Sequence, residues 1–198
     1  MQPWKPTREQ LAAAYGKTVP DVIAPDLEVL FCGINPGLYS AAVGHHFARP
    51  GNRFWPTLHA AEFTERLLSP FEERALLGLG YGITNVVARA TGAADELGEE
   101  ELRCGALVLE RKLRRYRPRV IAFLGISAYR TALGRPSAVL GRQVEMLAAA
   151  AVWVLPNPSG LNAHYQVDAL ARLFRRLRVA NARRAGAPAA ERGARSAP

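Results

Sequence analysis

Arg119-Val-Ile-Ala-Phe-Leu-Gly125 is a short, unbroken apolar run, β-branched and aromatic, closed by a glycine. It alternates with no polar residue, so it predicts a strand buried on both faces rather than one with a wet side. Just before it, Glu99 to Tyr116 places Leu102, Ala106, Leu109 and Leu113 on one face at three- and four-residue spacing. The first turn of that segment is acidic and the last basic, which complements a helix dipole. A further helix starts at Ser127, directly after the strand. Leu27 to Gly33, Tyr81 to Val87 and Ala151 to Leu155 are apolar runs of the same kind. Strands that alternate with helices predict a parallel sheet covered on both sides. The expected fold is a three-layer α/β/α sandwich with a central, mainly parallel four-stranded sheet.

The remaining segments fill in that outline. Thr7-Arg-Glu-Gln10 has capping-box spacing and predicts a short helix over roughly 7–16. Ile34 to Gly51 reads as a long loop, and Asn52 is placed to cap a helix carrying Phe54, Trp55, Leu58 and Ala61. Glu72 to Gly78 is helical, and a polar loop precedes Gly98. His164 to about Ala180 is an amphipathic helix with Leu170, Leu173, Phe174 and Leu177 inward. Trp55 and Trp153 belong to the core and Trp4 covers an edge. Residues 1–180 are expected as one domain, and 181–198, without an apolar face, as a disordered basic tail.

The chain has 198 residues, 49% of them apolar, enough for one substantial core. No run is long enough to span a bilayer and no secretory segment opens the chain, so a cytoplasmic protein is expected, with no membrane partner. The formal charge is +9, which favours a polyanionic partner. Most of the excess lies beyond Arg172, so composition alone reaches no further than contact with nucleic acid. Cys32 and Cys104 are expected as two buried thiols, too few for a four-thiolate cluster.

Ligands bind beyond the carboxyl ends of parallel strands. Three of the four expected strands end in unusual loops: Gly33-Ile-Asn-Pro-Gly37, Thr84-Asn85, and Pro156-Asn-Pro-Ser-Gly-Leu-Asn162. Asn, Pro and Gly are turn residues, so the first loop alone reads as a tight turn. A second Asn-Pro pair at another strand end, with an exposed Gly-Leu tip, is not explained that way. The proline behind Asn35 and Asn157 holds each amide in place. A fixed amide orients a water or reads a substrate edge; it is not a strong base.

Gly33-Ile-Asn-Pro-Gly37, Gly44-His-His-Phe47, Pro50-Gly-Asn-Arg-Phe-Trp55, Gly82-Ile-Thr84 and Asn157-Pro-Ser-Gly-Leu-Asn162 occur in this order. Together they resemble the mismatch-specific uracil-DNA and thymine-DNA glycosylases over roughly residues 27–178. The resemblance implies a cofactor-free hydrolase acting on uracil opposite guanine in double-stranded DNA, by one monomer associated with the nucleoid when bound. It makes Asn35 the water-positioning residue and Phe47 the stacking platform for a flipped base. Gly33, Ile34, Gly37, Ser40, Asn85 and Asn157 fall in the base pocket, and Ser159, Gly160, Leu161 and Asn162 in the loop that wedges the duplex.

The chain departs from that pattern in places. Ala163 stands where some bacterial members carry an Arg that reads the widowed guanine, leaving Asn162 or His164 to substitute or the selectivity relaxed. Ser40 replaces a smaller alanine of thymine-active members, so thymine is expected to be a poorer substrate. Asp95 and Glu96 read as solvated acids before a helix, or Asp95 returns to the pocket as general base. The adjacent His45 and His46 point apart, so no metal site is expected. The segment from His45 to Arg53 is a candidate for phosphate contact, and Arg111, Lys112, Arg114 and Arg115 form either a solvated face or a DNA contact. Two rivals remain: a phosphate-binding module in which GINPG is an anion nest, and a non-catalytic DNA binder.

Overall fold

The apolar runs do form strands, and they pair in one sheet. The computed structural model describes residues 5–185. The strands are β1 (Val29–Gly33), β2 (Tyr81–Asn85), β3 (Val120–Leu124), β4 (Gly141–Leu147) and β5 (Ala150–Leu155), ordered β2-β1-β3-β5-β4. The first three and β5 run parallel. The sheet therefore has five strands, not four: β4 adds an antiparallel edge. It escapes a sequence reading because its turn, Ala148-Ala149, takes positive φ at both residues without the Gly or Asn that normally marks such a hairpin. Its polar alternation, Gly-Arg-Gln-Val-Glu-Met-Leu, reads weakly beside the all-apolar β5.

Each strand divides its side chains between two cores. On one face, Phe31, Ala122, Trp153 and Leu155 meet Phe54 and Leu58 of α3 (Phe54–Ala60) and Phe174 and Leu177 of α7 (Val167–Ala185). On the other, Cys32, Ile121, Phe123 and Val152 meet Leu109 and Leu113 of α5 (Glu99–Tyr116) and Tyr129 of α6 (Ile126–Leu133). This is the expected α/β/α layering. α1 (Arg8–Ala12) starts at a Thr7–Gln10 capping box. α2 (Leu38–Val43) interrupts the stretch expected as loop, and α4 (Ala75–Gly78) follows a short 3-10 turn at Pro70–Glu72. Asn52 accepts from the Phe54 N–H at 2.9 Å and so caps the start of α3 as expected.

Three expectations need correction. Cys104 is exposed; only Cys32 is buried, and burial raises its thiol far above the ordinary range. Lys112 leaves the basic face of α5 and pairs with Asp21 at 2.5 Å, also donating to Thr84 at 3.1 Å. α7 runs five residues into the segment expected as tail, and Asn181 donates to Glu28 at 3.0 Å. Residues 186–198 and Trp4 lie outside the described residues.

α5 packs tightly on the strand layer at Gly105, where an added Cβ would come within 2.4 Å of the Val86 carbonyl oxygen. Helix propensity favours alanine over glycine by about 1 kcal/mol. Overpacking against backbone costs about 1–3 kcal/mol and outweighs it. Gly105→Ala is expected to lower the midpoint of urea unfolding; a rise would show that the helix shifts freely.

Candidate active site

The strand order places β2 on one side of β1 and β3 on the other, so a crevice opens above their carboxyl ends, where connections leave in opposite directions. A narrow cavity of about 160 Å³ lies there. The ends of all four parallel strands contribute to it: Gly33 to Gly37 after β1, Asn85 ending β2, Leu124 ending β3 and Asn157 after β5. Leu161, Ser159, Ser40 and Phe47 line it as well, so the strand-end loops do converge on one site.

Asn35 is held by hydrogen bonds as well as by Pro36. Its Nδ2 donates to the Arg89 carbonyl at 3.0 Å and to Thr91 Oγ1 at 2.7 Å. A carbonyl only accepts, so this contact fixes which end of the amide is nitrogen. Thr91 passes its own proton to the Ala93 carbonyl at 2.6 Å, which leaves its oxygen to accept from Asn35. Among the described residues no donor reaches Asn35 Oδ1, so that oxygen is the acceptor the loop offers. The supporting segment is fixed in turn: Val86, Val87 and Thr91 donate backbone N–H groups to Gly33, Ile34 and Pro36, and the Arg89 side chain pairs with Glu101. Gly37 bridges Thr91 in parallel register.

The floor of the pocket is a second amide, Asn85, nearly buried at the end of β2. Its Nδ2 lies 3.4 Å from Nδ1 of His46, whose Nε2 lies 3.0 Å from the Pro20 carbonyl. Nε2 must carry the proton to satisfy that carbonyl, which leaves Nδ1 bare to accept from Asn85. Burial, the largest influence, lowers the His46 pKa; the Pro20 carbonyl, Glu73 and Asp21 oppose it, and Lys112 adds to it. The neighbouring segment is anchored by Glu73, which accepts from the His46 backbone at 2.8 Å and meets His45 Nδ1 at 2.9 Å. Gly33 is required beside Asn85: a Cβ there would come within 2.4 Å of Asn85 Oδ1.

Phe47 sits at φ 53° in the left-handed region, a strained conformation for an aromatic residue. Its ring stacks on Phe54 at 4.2 Å between centroids, which leaves one ring face for the cavity. Ser40 is buried and its Oγ accepts from the Ala48 N–H at 3.1 Å, locking the wall where thymine-active relatives are expected to be smaller.

The loop after β5 is internally bonded. Asn157 Oδ1 accepts from the Ser159 N–H, Ser159 Oγ from the Leu161 N–H, and Asn162 Oδ1 from the His164 N–H. Asn162 Nδ2 returns to the Asn157 carbonyl at 2.9 Å. The Asn162 amide is thus drawn into the loop's own bonding at both ends, while His164 is exposed. Gly160 presses on Gly51, whose carbonyl oxygen would lie 2.5 Å from an added Cβ. Leu161, 74% exposed, stands clear at the tip.

Sequence reading missed three supports. Arg53, expected among phosphate contacts, instead donates to the Ser159 and Asn162 carbonyls at 3.0 and 2.8 Å and clamps the loop after β5. His46 lies in the Gly44-His-His-Phe47 motif and Thr91 in none, and only tertiary contact shows that they orient Asn85 and Asn35. Of the two readings of Asp95, the solvated one holds: it is exposed on a 3-10 turn, Ala94–Glu96, and the neighbouring Ala93 and Ala94 line the cavity. Among the described residues no carboxylate lines the cavity and no cluster of His, Cys, Asp and Glu fits a metal.

Two measurements check this geometry. Arg53→Ala frees two loop carbonyls and is expected to slow catalysis on the order of 10²-fold while leaving the melting temperature nearly unchanged; equal rates would show that the loop holds itself. His46 has a folded pKa below its ordinary 6.5, so the unfolded chain takes up the proton first. Its contribution to stability is complete above about pH 6.5 and is lost as pH falls toward the folded value. The wild-type melting temperature should drop across that window and His46→Gln should flatten the drop; parallel profiles would assign the acid sensitivity elsewhere.

Comparison with known proteins agrees with the site. Residues 20–178 match the model of the uracil DNA glycosylase superfamily. The fold is similar to the solution NMR structure of a candidate uracil DNA glycosylase from Methanosarcina acetivorans, with a TM-score of 0.57 and 22% identity, covering 82% of this chain and 98% of that one. With most of its length inside the family match and every strand-end loop gathered at one cavity, the chain belongs to the uracil-DNA glycosylase superfamily, whose members are DNA glycosylases.

Proposed function

We propose that the protein is a monofunctional, mismatch-directed glycosylase that flips uracil out of a G·U pair in duplex DNA and hydrolyses its N-glycosidic bond. The observation that carries this reading is Asn35: both N–H groups are committed to Arg89 and Thr91, and Oδ1 is left facing no protein donor. A water accepted by that oxygen is held by an amide that cannot rotate.

The chemistry follows from the groups around it. A flipped base costs a few kcal/mol of lost stacking. Phe47 offers a ring face and Leu161 an exposed apolar tip to recover part of it. Asn85, with one N–H given to His46, keeps its other N–H and its oxygen for the edge of a pyrimidine. The water oxygen bonds to the sugar C1′ as the C1′–N1 bond breaks, and the base leaves with the bonding pair. One proton of the water passes to solvent and the base is protonated from it, so water and the nucleoside give an abasic site and free uracil. No cofactor enters this scheme. No lysine lies in the strand-end loops, so no Schiff-base step follows.

Specificity rests on fit. Buried Ser40 leaves little room for the thymine methyl group, so thymine is the poorer substrate. His164 is the group available to the opposite guanine. The enzyme acts as a cytoplasmic monomer that meets the nucleoid through its basic excess.

Single-turnover release of uracil from a G·U duplex tests the whole reading. Asn35→Ala is expected to lower the rate on the order of 10²-fold or more, and Phe47→Ala to weaken productive binding by about 1–3 kcal/mol. Asp95→Ala should leave the rate unchanged. Uracil retained by the duplex with enzyme in excess overturns the proposal.

A further inference from the structure

A second concavity lies away from the strand-end loops. Its volume is about 700 Å³, and it runs between α7 and the sheet edge, with Trp153 in its floor and Arg142, Arg172, Arg176 and Val179 along it. It arises because β4 extends the sheet beyond the helix layer. Arg142, Val144 and Met146 are the exposed positions of β4, alternating with half-buried ones. Val144 is fully exposed and Met146 half so, apolar side chains that a soluble edge strand has no reason to present to water.

The charge of the groove is as uneven as its polarity. Arg175 and Arg178 share the single carboxylate of Glu62. Arg142, Arg172 and Arg176 are exposed, and among the described residues none has an ion-pair partner. Three free guanidinium groups thus border an apolar lining of Trp153 and Val179, and Val144 and Met146, on the same face of β4 as Arg142, continue it outside the groove. From this we infer that the groove is a docking site for an acidic, apolar-bearing segment of a partner protein, bound extended between α7 and β4.

Charge complementarity selects this occupant. A second copy would bring the same three arginines against each other. Residues 186–198 of this chain carry two Arg and one Glu, the wrong sign for the groove. A nucleic-acid backbone would satisfy the arginines, but it would leave Val144, Met146 and Val179 against phosphate and water. A peptide alternating carboxylates with apolar side chains satisfies both parts at once: bidentate pairs for the guanidinium groups and burial for the strip. Its binding would tether the DNA enzyme to another protein without occupying the base pocket.

The test uses the full chain and a fluorescein-labelled peptide of alternating Asp and Leu ending in Phe, followed by anisotropy. Saturable binding is expected, weakened about tenfold or more by Arg142→Glu, by Val144→Asp, and by replacing the peptide's Leu and Phe with Ser. Val144 touches little in the fold, so its substitution keeps the chain folded. Uracil release by the Arg142→Glu and Val144→Asp variants should equal that of wild type, which keeps this outcome separate from that of the glycosylase reading. Absence of saturable binding overturns the inference. So does binding that ignores Val144→Asp, a fall in affinity for undamaged duplex DNA on Arg142→Glu, or sedimentation as a dimer closed through this face.

Discussion

Four parallel strands buried on both faces leave polar side chains one place to gather. Backbone hydrogen bonds use the strands' own polar groups, the two cores exclude unpaired amides, and the helices return to the amino ends. Only the carboxyl rim combines a rigid base with room for polar groups. At that rim this chain places Asn35, Asn85 and Asn157, each on a different strand end. The reactive geometry therefore depends on the register β1 keeps with β2 and β3: Gly33 opposite Asn85, and Cys32 opposite Phe123. A slip of one residue would carry Asn85 to the other face of the sheet.

Apart from the exposed Arg49, the groups lining the pocket are neutral. Its oriented acceptor is an amide, its floor is an amide propped by a neutral histidine, and its platform is a phenyl ring. Charge enters one step further out. Arg89 pairs with Glu101 to steady the carbonyl that Asn35 uses, Glu73 grips the backbone of His46, and Arg53 grips two carbonyls of the loop after β5. Ions at that remove fix position without bringing a desolvated charge against the substrate. Among the described residues, no carboxylate lines the cavity.

Much of this was legible in the chain. The runs at Val29, Val120 and Ala151 are apolar throughout because both faces of a parallel sheet are covered, and that signature survives without any tertiary information. α5 was readable to its end residues, since its apolar spacing and charged termini agree. The strand-end loops stood out because turn chemistry alone does not call for two Asn-Pro pairs. The edge strand β4 was not legible: it is wet on one side, short of β-branched residues, and joined by an Ala-Ala turn whose positive φ is imposed by the hairpin. Cys104 and Lys112 were misread for one reason, that a helix shows its periodicity in sequence but not how far its neighbours extend around it.

The sequence by itself determined which side chains line the cavity at the strand ends, because Asn35, Phe47, Asn85 and Leu161 lie in or beside loops whose composition is constrained locally. It also determined the layer order, through the period of its apolar residues. Tertiary structure decided how those side chains are held and which of the acids take part. Asn35 depends on Thr91, Asn85 on His46, and the loop carrying Leu161 on Arg53, pairs 56, 39 and 106 residues apart. Asp95 lies exposed on the Ala94–Glu96 turn, outside the lining of the cavity. Contacts of that span have no periodic trace in a chain; they exist only once the strands have brought their ends together.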